Sequence, residues 1–192
     1  MGIDKKVAVI IAGGKSSRMQ RDKALLPFAG FSTLAEYQYE RLSLYFEKVY
    51  ISAKSNKFDF SVELIEDRYE ASSPLVAIVS TFETLEMDEV FILSVDAPFI
   101  SIEIIESLYK QAESSTANII VAKSSRGIEP LCAIYRRTVL PLAKEFISQD
   151  KHRLGSLFNE LEIEIIEFTK EREFSNLNYP SDYKNALLLD SL

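Results

Sequence analysis

The densest chemistry in the chain lies in twelve residues near its start: Ala12-Gly13-Gly14-Lys15-Ser16-Ser17-Arg18-Met19-Gln20-Arg21-Asp22-Lys23. Adjacent glycines allow close backbone approach and φ > 0, so their N–H groups can converge on phosphate oxygens. Lys15, Arg18, Arg21 and Lys23 add four cations within nine residues of a chain whose net charge is −7. A triphosphate requires both features. The same residue types also suit a flexible, solvated basic loop, and composition does not separate the two. Spacing does exclude two other phosphate motifs. A P-loop needs glycine five positions before Gly14, where Val9 stands, and a dinucleotide fingerprint needs a third glycine well before Gly30.

A second kind of chemistry is acidic. Val95-Asp96-Ala97-Pro98 sets a lone carboxylate after an apolar run that Pro98 prevents from continuing as a strand. Magnesium takes oxygen ligands, commonly one or two carboxylates completed by water and substrate phosphates, and Asp96 suits that role. It suits a helix cap or a turn equally well. Asp67 follows the apolar residues ending at Ile65 in the same strand-then-acid order. Near the end, Asn176-Leu177-Asn178-Tyr179-Pro180 places two amides on one face of an extended segment. They could bind substrate or hold the loop by local hydrogen bonds.

These groups work together only if the fold gathers them. Val7–Ile11 reads as a buried strand, and Leu34, Tyr37, Leu42 and Tyr45 mark a helix from Thr33 to Phe46, capped by Ser32 or Thr33. Strands follow at Val49–Ile51 and Val62–Ile65, and Pro74 opens a helix to about Leu85. Val90–Val95 is a second strongly apolar strand, and Ser101 caps a helix reaching about Ala112. Ile119–Val121 and Leu131–Tyr135 are strands, Thr138–Ile147 is helical, and Leu154, Leu157, Phe158 and Leu161 have helical spacing. Ile163–Ile166 is a late strand, and Ser181 caps a terminal helix. Alternation of strands with helix-length segments predicts one three-layer α/β/α domain over residues 1–192, with a mainly parallel, Rossmann-like sheet. Ligands of such sheets bind beyond the carboxyl ends of the strands, where Ala12-Gly13 and Asp96 stand.

These residues together resemble the molybdenum cofactor guanylyltransferases, the MobA-like branch of the nucleotidyltransferases. That family opens Leu-Ala-Gly-Gly-x-Ser-x-Arg-Met-Gly-x-Asp-Lys-x-Leu-Leu. Here Ile11–Leu26 reads Ile-Ala-Gly-Gly-Lys-Ser-Ser-Arg-Met-Gln-Arg-Asp-Lys-Ala-Leu-Leu. The likeness continues through Ile65-Glu66-Asp67, Asp96-Ala97-Pro98-Phe99-Ile100, Glu129-Pro130 and Asn176–Pro180, covering nearly the whole chain. It implies a fold of the nucleotide-diphospho-sugar-transferase type. The implied reaction is transfer of GMP from GTP to the terminal phosphate of molybdenum-bearing molybdopterin, with release of pyrophosphate.

By the same resemblance, Ile11, Ala12, Gly13, Gly14, Lys23, Ser52, Asp67 and Asp96 meet the nucleotide. Asp96 holds Mg2+, while Lys15, Arg18 and Lys23 offset charge in the reaction; Glu129, Asn176 and Asn178 lie on the acceptor side. Transient contact with proteins that deliver molybdopterin or mature molybdoenzymes is implied too. Three departures stand out: Gln20 replaces a glycine, Ser73-Pro74-Leu75-Val76-Ala77 replaces Gly-Pro-Leu-Ala-Gly, and Ser52 takes the place of an asparagine. The competing readings are a cytidylyltransferase on the same acceptor, a sugar-phosphate nucleotidyltransferase, and a non-catalytic nucleotide-binding regulator.

Composition narrows the classes further. Among 192 residues, 47% are hydrophobic and 27% charged, a globular balance. An acidic chain argues against non-specific grip on nucleic acid. One cysteine rules out an internal disulfide, and one histidine offers little for zinc. Cys132 reads as a buried strand residue and His152 as a surface residue near a helix start. Met1–Lys6 leads straight into a strand-sized apolar run, so the expected location is the cytoplasm, with no membrane partner.

Overall fold

The computed structural model describes residue 3, residues 6–13 and residues 22–189. Seven strands form one sheet: β1 (Val7–Ile11), β2 (Lys48–Ala53), β3 (Leu64–Glu66), β4 (Glu89–Ser94), β5 (Ile119–Ser124), β6 (Gly127–Arg136) and β7 (Ile163–Glu167). Among the described residues six α-helices accompany them: α1 (Leu34–Ser43), α2 (Pro74–Thr84), α3 (Ile102–Ala112), α4 (Leu140–Ser148), α5 (Leu154–Phe158) and α6 (Pro180–Leu189). The spatial order is β3-β2-β1-β4-β6-β5-β7. Pairings β1–β2, β1–β4, β2–β3 and β5–β7 are parallel, while β6 runs antiparallel to both β4 and β5.

β1 lies inside the sheet with every side chain buried, which is why its sequence is continuously apolar rather than alternating. Its residues feed two cores. Ala8 and Ile10 join one cluster, with Leu34 of α1 and Ile105 of α3. Val7, Val9 and Ile11 join another, with Ile78 of α2, Ala143 of α4 and Leu157 of α5. Helices therefore cover both faces, giving the expected three layers.

Two arginines at the end of β6 tie these layers to the sheet. Arg136 donates to the carbonyls of Ala112, Ser115 and Ala117 at the end of α3. Arg137 donates to those of Phe82, Leu85 and Met87 at the end of α2. Each guanidinium supplies donors to carbonyls that a helix terminus leaves unsatisfied, and its charge opposes the negative end of the dipole.

Several elements differ from the sequence expectation. The segment read as Leu131–Tyr135 is the longer antiparallel β6, whose register against β5 shifts between Val121 and Ala122: Val121 faces Ala133, whereas Ala122 faces Glu129. Pro130 falls in this bulge, where a missing N–H does not break the ladder. The second strand after the glycine segment shortens to β3, and Leu161 lies beyond α5. Ser101 precedes α3, but its hydroxyl bonds Glu173 instead of capping the helix. Ser181 does not cap α6 either. Pro180 begins that helix, and the Asp182 carboxylate accepts from the N–H groups of Asn178 and Tyr179, at 3.0 and 2.8 Å. A first-turn carboxylate reaching back in this way satisfies donors the helix cannot.

No described helix is long and apolar enough to cross a membrane.

Candidate active site

One row across the sheet organises the site. Ile11 is in register with Ser52 on one side and Ser94 on the other. Each serine holds a carboxylate from the loop beyond a strand: Ser52 Oγ donates to Asp67 Oδ1 at 3.1 Å, and Ser94 Oγ to Asp96 Oδ1 at 2.6 Å. Backbone bonds carry the strand pairing one step past the ladder, from Ala12 N–H to Ser52 O and from Val95 N–H to Ile11 O. Ala12 and Gly13 thus emerge between two anchored acids at the carboxyl ends of β1, β2 and β4.

Around Asp96 the geometry is polar and tight. Lys23, in a short 3-10 turn capped by Asp22, places Nζ 3.0 Å from Asp96 Oδ2 and 2.9 Å from Asn178 Oδ1. The N–H of Leu177 donates to the Asp96 carbonyl at 2.8 Å, and the Leu177 side chain is buried beneath it. Farther along the same loop, Arg41 of α1 donates to the Ile100 carbonyl. Asp96 sits in a turn without capping a helix, and Asn178 is part of the Lys23 cluster.

Asp67 is half-buried. Its own N–H donates to the Ala53 carbonyl, and that of Arg68 to the buried Ser80 hydroxyl in α2. Burial raises its carboxyl above the ordinary aspartate value, while the Ser52 hydroxyl and Lys54 pull the other way. A Cβ added to Gly13 would meet Asp67 Oδ2 at 3.5 Å, an ordinary contact. Asp67 does not itself demand the glycine, but Gly13 leaves the backbone beside this carboxylate uncovered.

Asp96, Glu129, Pro130 and Asn176 line one cleft of about 210 Å³. Asn176 and Asn178 also line a second, of about 410 Å³, with Phe99, Arg126 and Asn185. The β6 bulge turns Glu129 toward the first cleft, where Ser124 Oγ donates to its Oε1 at 2.7 Å. Arg126 reaches from the β5–β6 turn to the Phe174 carbonyl and pairs with Glu129.

Of the residues expected at the site, Ile11, Ala12, Gly13, Lys23, Ser52, Asp67, Asp96, Glu129, Asn176 and Asn178 converge at this end of the sheet. Gly14, Lys15, Arg18, Gln20 and Arg21 lie outside the described residues. Sequence reasoning missed Ser94, whose partner Asp96 is only two residues on, and also Arg41, Arg126 and Lys57, whose partners Ile100, Phe174, Ala12 and Asp22 are distant in sequence. Cys132 is buried in β6 as expected, with burial pushing its thiol far up. His152 is less open than expected: its ring bridges Ser73 Oγ and Asp150 Oδ1.

Residues 8–164 match the family model described as the MobA-like NTP transferase domain. The chain belongs to this family. A molybdenum cofactor guanylyltransferase of Campylobacter jejuni is 34% identical over 186 residues, covering 96% of each chain. Another so named from Helicobacter pylori is 34% identical over 190 residues, covering 96% of this chain and 93% of its own. The crystal structure of molybdopterin-guanine dinucleotide biosynthesis protein A from Archaeoglobus fulgidus superposes with a TM-score of 0.84 at 21% identity, covering 96% and 98%. The fold also occurs in the 2-C-methyl-D-erythritol 4-phosphate cytidylyltransferase of Thermus thermophilus, with a TM-score of 0.71 at 14% identity, covering 97% and 100%. Family membership makes the chain an NTP-using transferase, and the shared fold does not by itself choose the nucleotide.

Proposed function

We propose that the whole chain is one nucleotidyltransferase domain that transfers GMP from GTP to the terminal phosphate of molybdenum-bearing molybdopterin, releasing pyrophosphate. The observation that carries this reading is Lys23 held between Asp96 and Asn178, at 3.0 and 2.9 Å. Three segments far apart in sequence meet there, at the carboxyl ends of β1 and β4. The names of the relatives supply the acceptor and the base.

The bond changes are simple. An acceptor phosphate oxygen forms a bond to the α-phosphorus, the bond to the bridging oxygen breaks, and that oxygen leaves on pyrophosphate. Alignment and charge neutralisation are the chain's tasks. Ile11, Ala12 and Gly13 meet the nucleotide by backbone, Ser52 and Asp67 lie to the base side, and Lys23 donates to phosphate. Gly14, Lys15 and Arg18 are the further phosphate-side groups. Glu129, Asn176 and Asn178 face the acceptor.

A divalent cation fits Asp96. One carboxylate, braced at Oδ1 by Ser94, provides hard oxygen donors of the kind Mg2+ takes. The described residues contain no cluster of three or more His, Cys, Asp or Glu able to hold a metal. Asp96 would therefore hold the ion jointly with substrate phosphates, which is the usual habit of magnesium in nucleotide sites. When bound it would supply charge to the phosphate oxygens. No nucleophilic side chain is needed, in keeping with a thiol locked in β6.

Asp67 favours guanine over cytosine. Guanine offers N1–H and its 2-amino group as donors on one edge, whereas cytosine there presents acceptors at N3 and O2. Setting acceptors against this half-buried carboxylate costs about 1–3 kcal/mol, roughly ten- to a hundredfold. The reaction belongs in the cytoplasm, with transient contact to proteins that deliver the acceptor or receive the product. The test is turnover of each of the four NTPs with the molybdenum-loaded acceptor. Magnesium-dependent pyrophosphate release with GTP is expected. A preference for CTP would assign the cytidylyl reaction, and binding without turnover would leave a nucleotide-binding regulator.

A further inference from the structure

Lys57 lies outside every segment that suggested nucleotide chemistry, in the connection between β2 and β3. Its Nζ nevertheless donates to two groups that bracket the glycine segment. One is the Ala12 carbonyl, at 3.0 Å; the other is Asp22 Oδ2, at 2.5 Å. Both ends of residues 13–21 are thereby fastened to one ammonium.

The placement of Lys57 is itself built. Asn56 Oδ1 accepts the N–H of Phe58 at 3.1 Å, and Phe58 is buried in the core with Phe60 beside it. That local turn directs Lys57 inward, its ammonium 5.7 Å from the Phe58 ring centroid. On the receiving side, Asp22 uses its other oxygen, Oδ1, to accept the N–H of Ala24, which caps the turn carrying Lys23. Lys57 thus connects the backbone where the nucleotide is expected to the residue that positions Lys23. Two of its three N–H donors are engaged, and neither acceptor belongs to substrate.

We infer that Lys57 is a positioning residue that latches Ala12 to Asp22, fixing both ends of the phosphate-binding segment for the nucleoside triphosphate. This rests on the nucleotidyltransferase reading above. Pinning the ends of a segment before binding removes ordering cost that would otherwise fall on association.

A simple electrostatic role makes the opposite prediction for one partner. If Lys57 acts only as charge near the phosphates, Asp22→Asn removes a repelling carboxylate and tightens binding. If Lys57 acts as a latch, Asp22→Asn loosens it. We expect Lys57→Met to weaken magnesium–GTP binding about tenfold, mostly in KM rather than kcat, with Lys57→Arg recovering most of the loss. Asp22→Asn should weaken binding similarly, and the double variant should be no worse than either single one.

Amide exchange of the nucleotide-free protein reads the latch separately. Lys57→Met should speed exchange at Ala24 and Leu25 about tenfold, because both N–H groups bond Asp22. Tighter binding in Asp22→Asn, or exchange in Lys57→Met equal to wild type, overturns the latch. Should the wild type bind no nucleoside triphosphate, the functional reading falls while the exchange rates still decide whether Lys57 holds this segment.

Discussion

Lys23 Nζ lies 3.0 Å from Asp96 Oδ2, although 73 positions separate the two residues in sequence. The cation suited to a phosphate and the acid suited to a metal are therefore already in contact, with about four-fifths of each side chain removed from solvent. Such a pair keeps both groups oriented, and each can exchange its partner for a ligand of the same sign without leaving an unpaired charge behind.

This relationship makes Asp96→Asn the sharpest test of the metal assignment. Asparagine keeps an oxygen to accept from Ser94, so the turn should survive, while the charge that would hold magnesium is gone. Turnover should fall by about a hundredfold or more. Pyrophosphate release and thermal melting should be measured on one preparation. A variant with near-normal rate removes Asp96 from the metal site; an unfolded one shows that the pair with Lys23 is chiefly structural.

Asp67 couples stability to specificity. Burial raises its native carboxyl above the unfolded value of 3.8, so folding favours the protonated form. Its contribution to stability is complete below about pH 3.8 and is lost as pH rises through the raised native value. Asp67→Asn removes that loss. The variant should gain roughly 2 °C in Tm relative to wild type at neutral pH, with the gain vanishing toward pH 3. Calorimetry on the same variant should show reduced discrimination between GTP and CTP. Unchanged selectivity would restrict Asp67 to a structural part, whatever the melting curves do.

Arg137 tests how the site is carried by the fold. Its guanidinium serves three carbonyls at the end of α2, the helix whose Ser80 braces the residue after Asp67. Arg137→Ala should cost about 2–3 kcal/mol, since charged hydrogen bonds to otherwise unsatisfied carbonyls are lost. For a chain of this size, that corresponds to a Tm lower by roughly 5–8 °C. Chemical denaturation provides the measurement. A loss below about 0.5 kcal/mol would mean that water satisfies those carbonyls equally well.

Sequence by itself determined the strands, the faces and the chemical vocabulary. Val7–Ile11 reads as a buried strand, because five consecutive apolar residues between Lys6 and the turn at Gly13-Gly14 have no solvated face to offer and are too few for a typical helix. The alternation of such runs with helical spacing forced an α/β sheet, and that placed Gly13 and Asp96 at its carboxyl edge. The motif through Lys23 named the family before any coordinates. These features are local, set by periodicity and side-chain type within a few residues.

Tertiary structure alone decided the rest, because it depends on contacts whose partners are remote. The direction of β6 is set by its short turn from β5 and by pairing with β4, which an apolar pattern cannot encode. The Glu129 bulge arises from a register mismatch between two strands. Ser52 is an unremarkable letter until the sheet sets it level with Ile11, facing Asp67 beyond the neighbouring strand. Lys57 carries no local signal at all: a lysine before a phenylalanine has meaning only once Ala12 and Asp22 arrive beside it. A sequence specifies which groups exist, but a hydrogen bond of about 3 Å is decided by where the chain returns.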